Sequence, residues 1–164
     1  MPEEDVIERA RKDEREGKSP STQAGEFVRE EIEHVRQGKH GARNTKQAIA
    51  IGLSKARRAG VKLPPPKKGR YSAKIRKQAK RDSARGRSRS RKVSQKRSRG
   101  VTRALRREGH RSASRAALAR QARSSARRRG SSERHRAAMK AVRTKGPAGL
   151  RSAGRKAART RRGR

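Results

Sequence analysis

Lys and Arg are the residues of this chain whose chemistry is plain. From Tyr71 to Arg164 they number 35 in 94 positions, against three acids, Asp82, Glu108 and Glu133. That stretch carries a net charge of +32. Each ammonium or guanidinium that neutralises a phosphate releases condensed counterions, which gives affinity without base preference. Guanidinium adds a planar, two-pronged grip on phosphate oxygens, and Arg outnumbers Lys 36 to 16. The residues assigned to this chemistry begin with Lys67, Lys68 and Arg70. They continue with Lys74, Arg76, Lys77, Lys80, Arg81, Arg85, Arg87, Arg89 and Arg91. Arg103, Arg106, Arg107, Arg115, Arg120 and Arg123 follow, then Arg127, Arg128 and Arg129. Arg151, Arg155, Lys156, Arg159, Arg161 and Arg162 complete the set. The implied partner is a polyanion, and nucleic acids are the abundant polyanions. Reading single strands by stacking needs aromatic platforms, and Tyr71 is the one aromatic residue beyond Phe27. Gripping a duplex backbone, with Arg entering the minor groove, needs none. Duplex DNA is therefore favoured, and structured RNA, onto which Arg-rich segments fold, is the alternative.

Other chemistries find little support. His34, His40, His110 and His135 stand apart in sequence and are expected on the surface. His34 and His40 straddle a helix end without the i, i+4 spacing of a helical metal pair. Glu26, Glu30, Glu31 and Glu33 read as a solvated helix face and not as a catalytic pair. The absence of cysteine excludes a disulfide framework, thiolate metal sites and thiol catalysis. We therefore expect no catalytic residue, no cofactor, no metal and no small-molecule substrate. The tail serines, such as Ser88, Ser90, Ser94 and Ser98, lie among bases, where phosphorylation would subtract charge.

The elements that carry these cations are read from composition and period. Only 27% of the chain is hydrophobic and 1% aromatic, a balance in which burial does not offset chain entropy. The expected fold class is mostly disordered, with a small all-α N-terminal part. Residues 1–18 read as either an acidic amphipathic helix over 3–16, with acids early and Arg11, Lys12 and Arg15 late as the helix dipole favours, or a flexible acidic head. Residues 19–63 read as an αα-hairpin. Its first helix, about 24–37, places Val28, Ile32 and Val35 at i, i+4, i+7 beside Phe27. Its second, about 45–59, places Ile49, Leu53 and Ala56 likewise. Asn44 and Gln47 resemble a capping box, and Gly60 with Val61 suits a left-handed cap. A helix-turn-helix is disfavoured, because those helices are joined by three or four residues. Residues 64–70 form a Pro/Lys-rich spacer, and 71–164 a disordered basic tail. In that tail 86–100 is expected to stay extended, while about 112–129 and 132–144, the latter stopped by Gly146-Pro147, become helices on binding. No apolar run reaches the ~18 residues of a membrane span, and the acidic N-terminus lacks the apolar core of a secretory signal. A cytoplasmic location follows.

Lys46 to Gly60, KQAIAIGLSKARRAG, with the Pro/Lys segment Pro64 to Lys68 behind it, resembles a motif of small basic bacterial proteins of uncharacterised function, some labelled plasmid-stabilisation proteins. The tail is similar in composition to linker-histone-like and protamine-like polymers. The resemblance implies a bacterial origin and offers no activity or catalytic residues to carry over. Together these readings point to a histone-like, nucleoid-associated protein that coats or compacts DNA without sequence preference. The alternatives are a ribosome-associated or RNA-chaperone protein, or an adaptor whose 19–63 module recruits a protein partner to nucleic acid. Eleven of the 14 acids lie in the first 33 residues, so the head is either a handle or a brake on the tail.

Overall fold

Pro20 starts the helix that packs against both of its neighbouring helices in the chain. It occupies the first turn of α2 (Pro20–Arg36), where its missing N–H costs nothing and its fixed φ is already helical. The computed structural model describes residues 2–69, 71–88 and 94–163. The acidic head forms α1 (Glu4–Arg15), and the second hairpin helix is α3 (Thr45–Arg58). α2 packs on both α1 and α3. Asn44 caps α3 by accepting from the Gln47 N–H at 2.9 Å, and Gln47 Oε1 accepts from the Arg43 N–H at 2.8 Å. The return bond thus lands one residue before the cap. At the other end Gly60 takes φ 98°, the Gly60 N–H bonds Arg57 O, and the Val61 N–H bonds Ala56 O at 3.1 Å. This six-to-one closure satisfies two orphan carbonyls and turns Val61 inward.

Two small cores result. Val6, Ala10, Ala24, Phe27 and Ala56 form one, with Ile7, Leu53, Val61 and Leu63 packed against it. Burying Phe27 fully is worth about 1.5–3 kcal/mol. Ile32, Val35, Ala42, Ala48 and Ala113 form the other, with Val28 and Leu118 beside them. Gly52 lets the two hairpin backbones touch, since a Cβ there would lie 2.7 Å from Val28 Cα and 2.9 Å from Phe27 O.

The expectation of a mostly disordered chain is overturned. Among the described residues the basic region forms α4 (Ala73–Arg87), α5 (Gln95–Arg106), a 3₁₀ turn (Arg111–Ala113), α6 (Arg115–Arg128) and α7 (Gly130–Arg162). Local chemistry accounts for much of this. Ser72, Ser94 and Ser114 cap α4, α5 and α6 by accepting from the N–H groups of Ile75, Arg97 and Ala117, and Ala and Arg are good helix formers. Tertiary contacts hold α4 and residues 105–113. Ala79 and Asp82 of α4 are buried, and α4 packs on α3. Gly86 approaches Arg57 O so closely that no Cβ fits between them. Residues 105–113 are stitched to the hairpin loop: the Gly41 N–H bonds Leu105 O at 2.9 Å, the Ala42 N–H bonds Gly109 O at 3.1 Å, and Thr45 Oγ1 donates to Ser112 O at 2.6 Å. The segment 86–100, expected to be extended, is helical at Gly86 and Arg87 and from Gln95 onward. Its residues 89–93 lie outside the described set. The helices expected only on binding, 112–129 and 132–144, are present in the free chain as the 3₁₀ turn, α6 and the first part of α7.

The chain divides into two units, Met1–Ala119 and Arg120–Arg164. The second holds the end of α6 and all of α7. Within α7 the backbone leaves helical geometry at Gly146 (φ 62°, ψ 176°), just before Pro147, and then resumes. The Gly146-Pro147 stop thus acts as a break between two helical segments. No residue of α7 is buried. No helix among the described residues is long and apolar enough to cross a membrane.

Candidate nucleic-acid interface

α4 shows how the fold sorts its bases. Asp82, 2% exposed, accepts from Ser54 Oγ at 2.7 Å and from Gln78 Nε2 at 3.2 Å, and lies 3.6 Å from Arg58 Nε. This anchor and Ala79 turn one face of α4 to α3. Lys74, Lys77, Arg81 and Arg85, at i, i+3, i+7 and i+11, form a row that stays exposed on the opposite face. Lys80 and Arg87 flank the docked face and, with Arg57 and Lys62, surround a groove of about 610 Å³ floored by Val61, Leu63 and Pro64. Arg76 is half-buried, and its Nε has no hydrogen-bond partner, so it is set apart from the row. Lys67 and Lys68 are exposed in the spacer. Arg70, Arg89 and Arg91 lie outside the described residues.

Arg103, Arg106 and Arg107 are exposed on and just after α5, and Arg115 at the start of α6. In the second unit Arg120, Arg123, Arg127, Arg128 and Arg129 are exposed along and after α6. Residues 120–164 hold 17 bases and one acid, Glu133, for a net charge of +16. After the Gly146 break, Arg151, Arg155, Arg159 and Arg162 fall at i, i+4, i+8 and i+11, all exposed, with Lys156 and Arg161 alongside. Like charges at this spacing repel and oppose the helix by ~0.2–0.5 kcal/mol per pair. A polyanion laid along the row reverses that sign.

The acids of the head are engaged close to home. Arg9 pairs with Glu26 at 3.0 Å, Lys18 with Asp13 and Glu16 at 2.7 Å, and Lys62 with Glu14 at 3.6 Å. The paired acids hold the Lys18 ammonium above its ordinary value, and Lys18 holds Glu16 below its own. Glu3 accepts from Lys39 Nζ at 2.9 Å and pairs with His34 Nε2 at 3.0 Å. Those two bonds, Lys39's first, bring its carboxyl down to about 2. Burial lowers the Arg57 guanidinium, against the nearby charge of Asp82.

Two sequence readings change here. Glu30 and Glu31 are not a solvated face: they are 5% and 0% exposed, and Lys55 Nζ lies 3.1 Å from Glu30 Oε2 and 2.9 Å from Glu31 Oε2. His34 and His40 are not surface groups either, with side chains 12% and 17% exposed and rings edge-on, 6.1 Å apart. Glu3, 31 residues away in sequence, and the loop after α2 bring this cluster together. Each residue alone carries no signal of it.

Residues 17–68 match the model of a family described as a family of unknown function (DUF6496). The match covers α2, α3 and most of the spacer and stops before α4. No curated protein and no solved structure matches the chain.

Proposed function

We propose that this chain is a histone-like, sequence-nonspecific nucleic-acid-binding protein that lays rows of cations, carried on helices, against the phosphates of duplex DNA. The observation that carries the reading is the row Arg151, Arg155, Arg159 and Arg162, exposed on a helix that buries nothing. The row Lys74, Lys77, Arg81 and Arg85 on α4 repeats the arrangement on a docked helix. A helix about 10–12 Å across suits the ~12 Å major groove of B-DNA, whereas the major groove of A-form RNA is too narrow for side chains to read. Tyr71, 57% exposed, is a single platform, too few for a stacking mechanism. Phosphate neutralisation involves no chemical step, so the activity is binding and compaction, and in a bacterial cell its place is the nucleoid. The test is competition among duplex DNA, single-stranded DNA and structured RNA at about 0.15 M salt. Duplex DNA is expected to win. Structured RNA winning by more than about tenfold, or 1.4 kcal/mol, overturns the reading in favour of an RNA partner.

A further inference from the structure

Glu31 lies at the centre of the buried polar cluster, and its surroundings are unusual. The side chain is 0% exposed, and neither carboxylate oxygen accepts a hydrogen bond. Lys55 Nζ sits 2.9 Å from Oε2, an ion pair without hydrogen-bond alignment, and His40 Nε2 faces Oε1 at 3.4 Å. The other nitrogen of His40, Nδ1, is 3.1 Å from Gly41 O. A carbonyl only accepts, so Nδ1 carries the hydrogen. In the neutral ring Nε2 is then a bare lone pair 3.4 Å from a carboxylate oxygen, a contact that a cation bound by both atoms would make favourable. A proton would draw the two atoms to about 2.7–2.9 Å. A tetrahedral metal with bonds of about 2.0–2.1 Å holds its ligand atoms about 3.3–3.4 Å apart, which is the spacing found.

His34 completes the set. One donor atom each from Glu31, His34 and His40 lies within 4.8 Å of the other two. We propose that Glu31, His34 and His40 form a binding site for a zinc-type divalent transition-metal ion. Two imidazoles and a carboxylate are a donor set that such ions accept, leaving a fourth position for water. The outer contacts are those a metal site requires. The Gly41 carbonyl fixes the His40 tautomer, the Glu3 carboxylate pairs with His34 Nε2 at 3.0 Å, and Lys55 holds the far oxygen of Glu31. Charge agrees as well: Glu3, Glu30 and Glu31 outnumber Lys39 and Lys55 by one, so the cluster with neutral imidazoles is left one negative charge to be balanced. The ion would clamp α2 to the loop that follows it, which is the loop holding residues 105–113.

The test uses the full chain, stripped with a chelator and titrated with Zn²⁺ by calorimetry and with Co²⁺ by visible absorption. We expect one ion per chain, a raised Tm with Zn²⁺, and the intense visible bands of four-coordinate cobalt. H40Q and the double variant H34Q/H40Q should bind at least ~10-fold more weakly, while H110Q/H135Q should bind as the unaltered chain does. Weak octahedral cobalt bands, no saturable Zn²⁺ binding, or binding unchanged in H34Q/H40Q would each overturn the site. The cobalt spectrum is read on the unaltered chain, so the test stands even if a variant fails to fold.

Discussion

Glu3 gathers more partners than any other acid of the head. Its carboxylate takes Lys39 and His34, and its own N–H donates to Glu30 Oε1 at 2.7 Å. These contacts tie the start of α1 to the end of α2, and they set a pH dependence. The folded chain holds Glu3 at about 2, against an ordinary 4.5, so the unfolded chain binds the proton more readily. The stability Glu3 adds is complete above about 4.5 and is lost as pH falls towards 2. Glu3→Gln is therefore expected to lower the denaturation midpoint near neutral pH, with the difference from the unaltered chain shrinking through that window. A difference that stays constant with pH would contradict the assignment. Pairings of this kind were hidden in the sequence, because 31 positions separate Glu3 from His34. The cap formed by Asn44 and Gln47 and the turn at Gly60 were readable, because each is decided by residues within one helical turn.

α4 shows why composition alone reads the basic region as disordered. Its core face is one alanine, one aspartate and a glycine, and hydrophobicity counts give that face almost no weight. Small residues nonetheless bring backbones into contact, at Gly52 between α2 and α3 and at Gly86 against Arg57. Asp82, one of three acids beyond residue 33, fastens the helix. Asp82→Ala removes its bonds to Ser54 and Gln78 and its charge pairing with Arg58, at a cost of about 1–3 kcal/mol. Amide exchange should rise throughout α4, and exchange left unchanged there would show that the anchor lies elsewhere. Ala113 is a second case: a lone small apolar residue in an Arg/Ser context, yet fully buried beside Ile32 and Val35. The positions of the hairpin helices were legible, since their apolar periods are local. The docking of α4 and of residues 105–113 was not, since it depends on tertiary hydrogen bonds. The exposed face of α4 carries its own prediction. Replacing Lys74, Lys77, Arg81 and Arg85 with Gln should leave the helix in place and make the salt dependence of DNA binding shallower by about 3–4 in slope. An unchanged slope would remove α4 from the interface.

Across the whole chain, charge is partitioned by use. Acids of the first 33 residues are joined to bases between Arg9 and Lys62, so head and hairpin largely neutralise each other. Beyond Leu63 the acid that is deeply buried, Asp82, serves to fasten a helix, and the row Lys74, Lys77, Arg81 and Arg85 on that helix remains exposed. The sequence presented this as a folded module with a disordered polycation. The structure replaces the polycation with helices that display their bases in rows. This changes what the proposed reading expects: the rows exist in the chain itself, so on that reading little of the binding energy is spent on forming helix. The most direct check is the association constant of the full chain for duplexes of unrelated sequence, measured against salt concentration. With about eight phosphates engaged at once, log K should fall with log salt at a slope of roughly −7, the same for every sequence. A slope near zero, or a strong preference for one duplex over the others, would contradict binding by phosphate neutralisation.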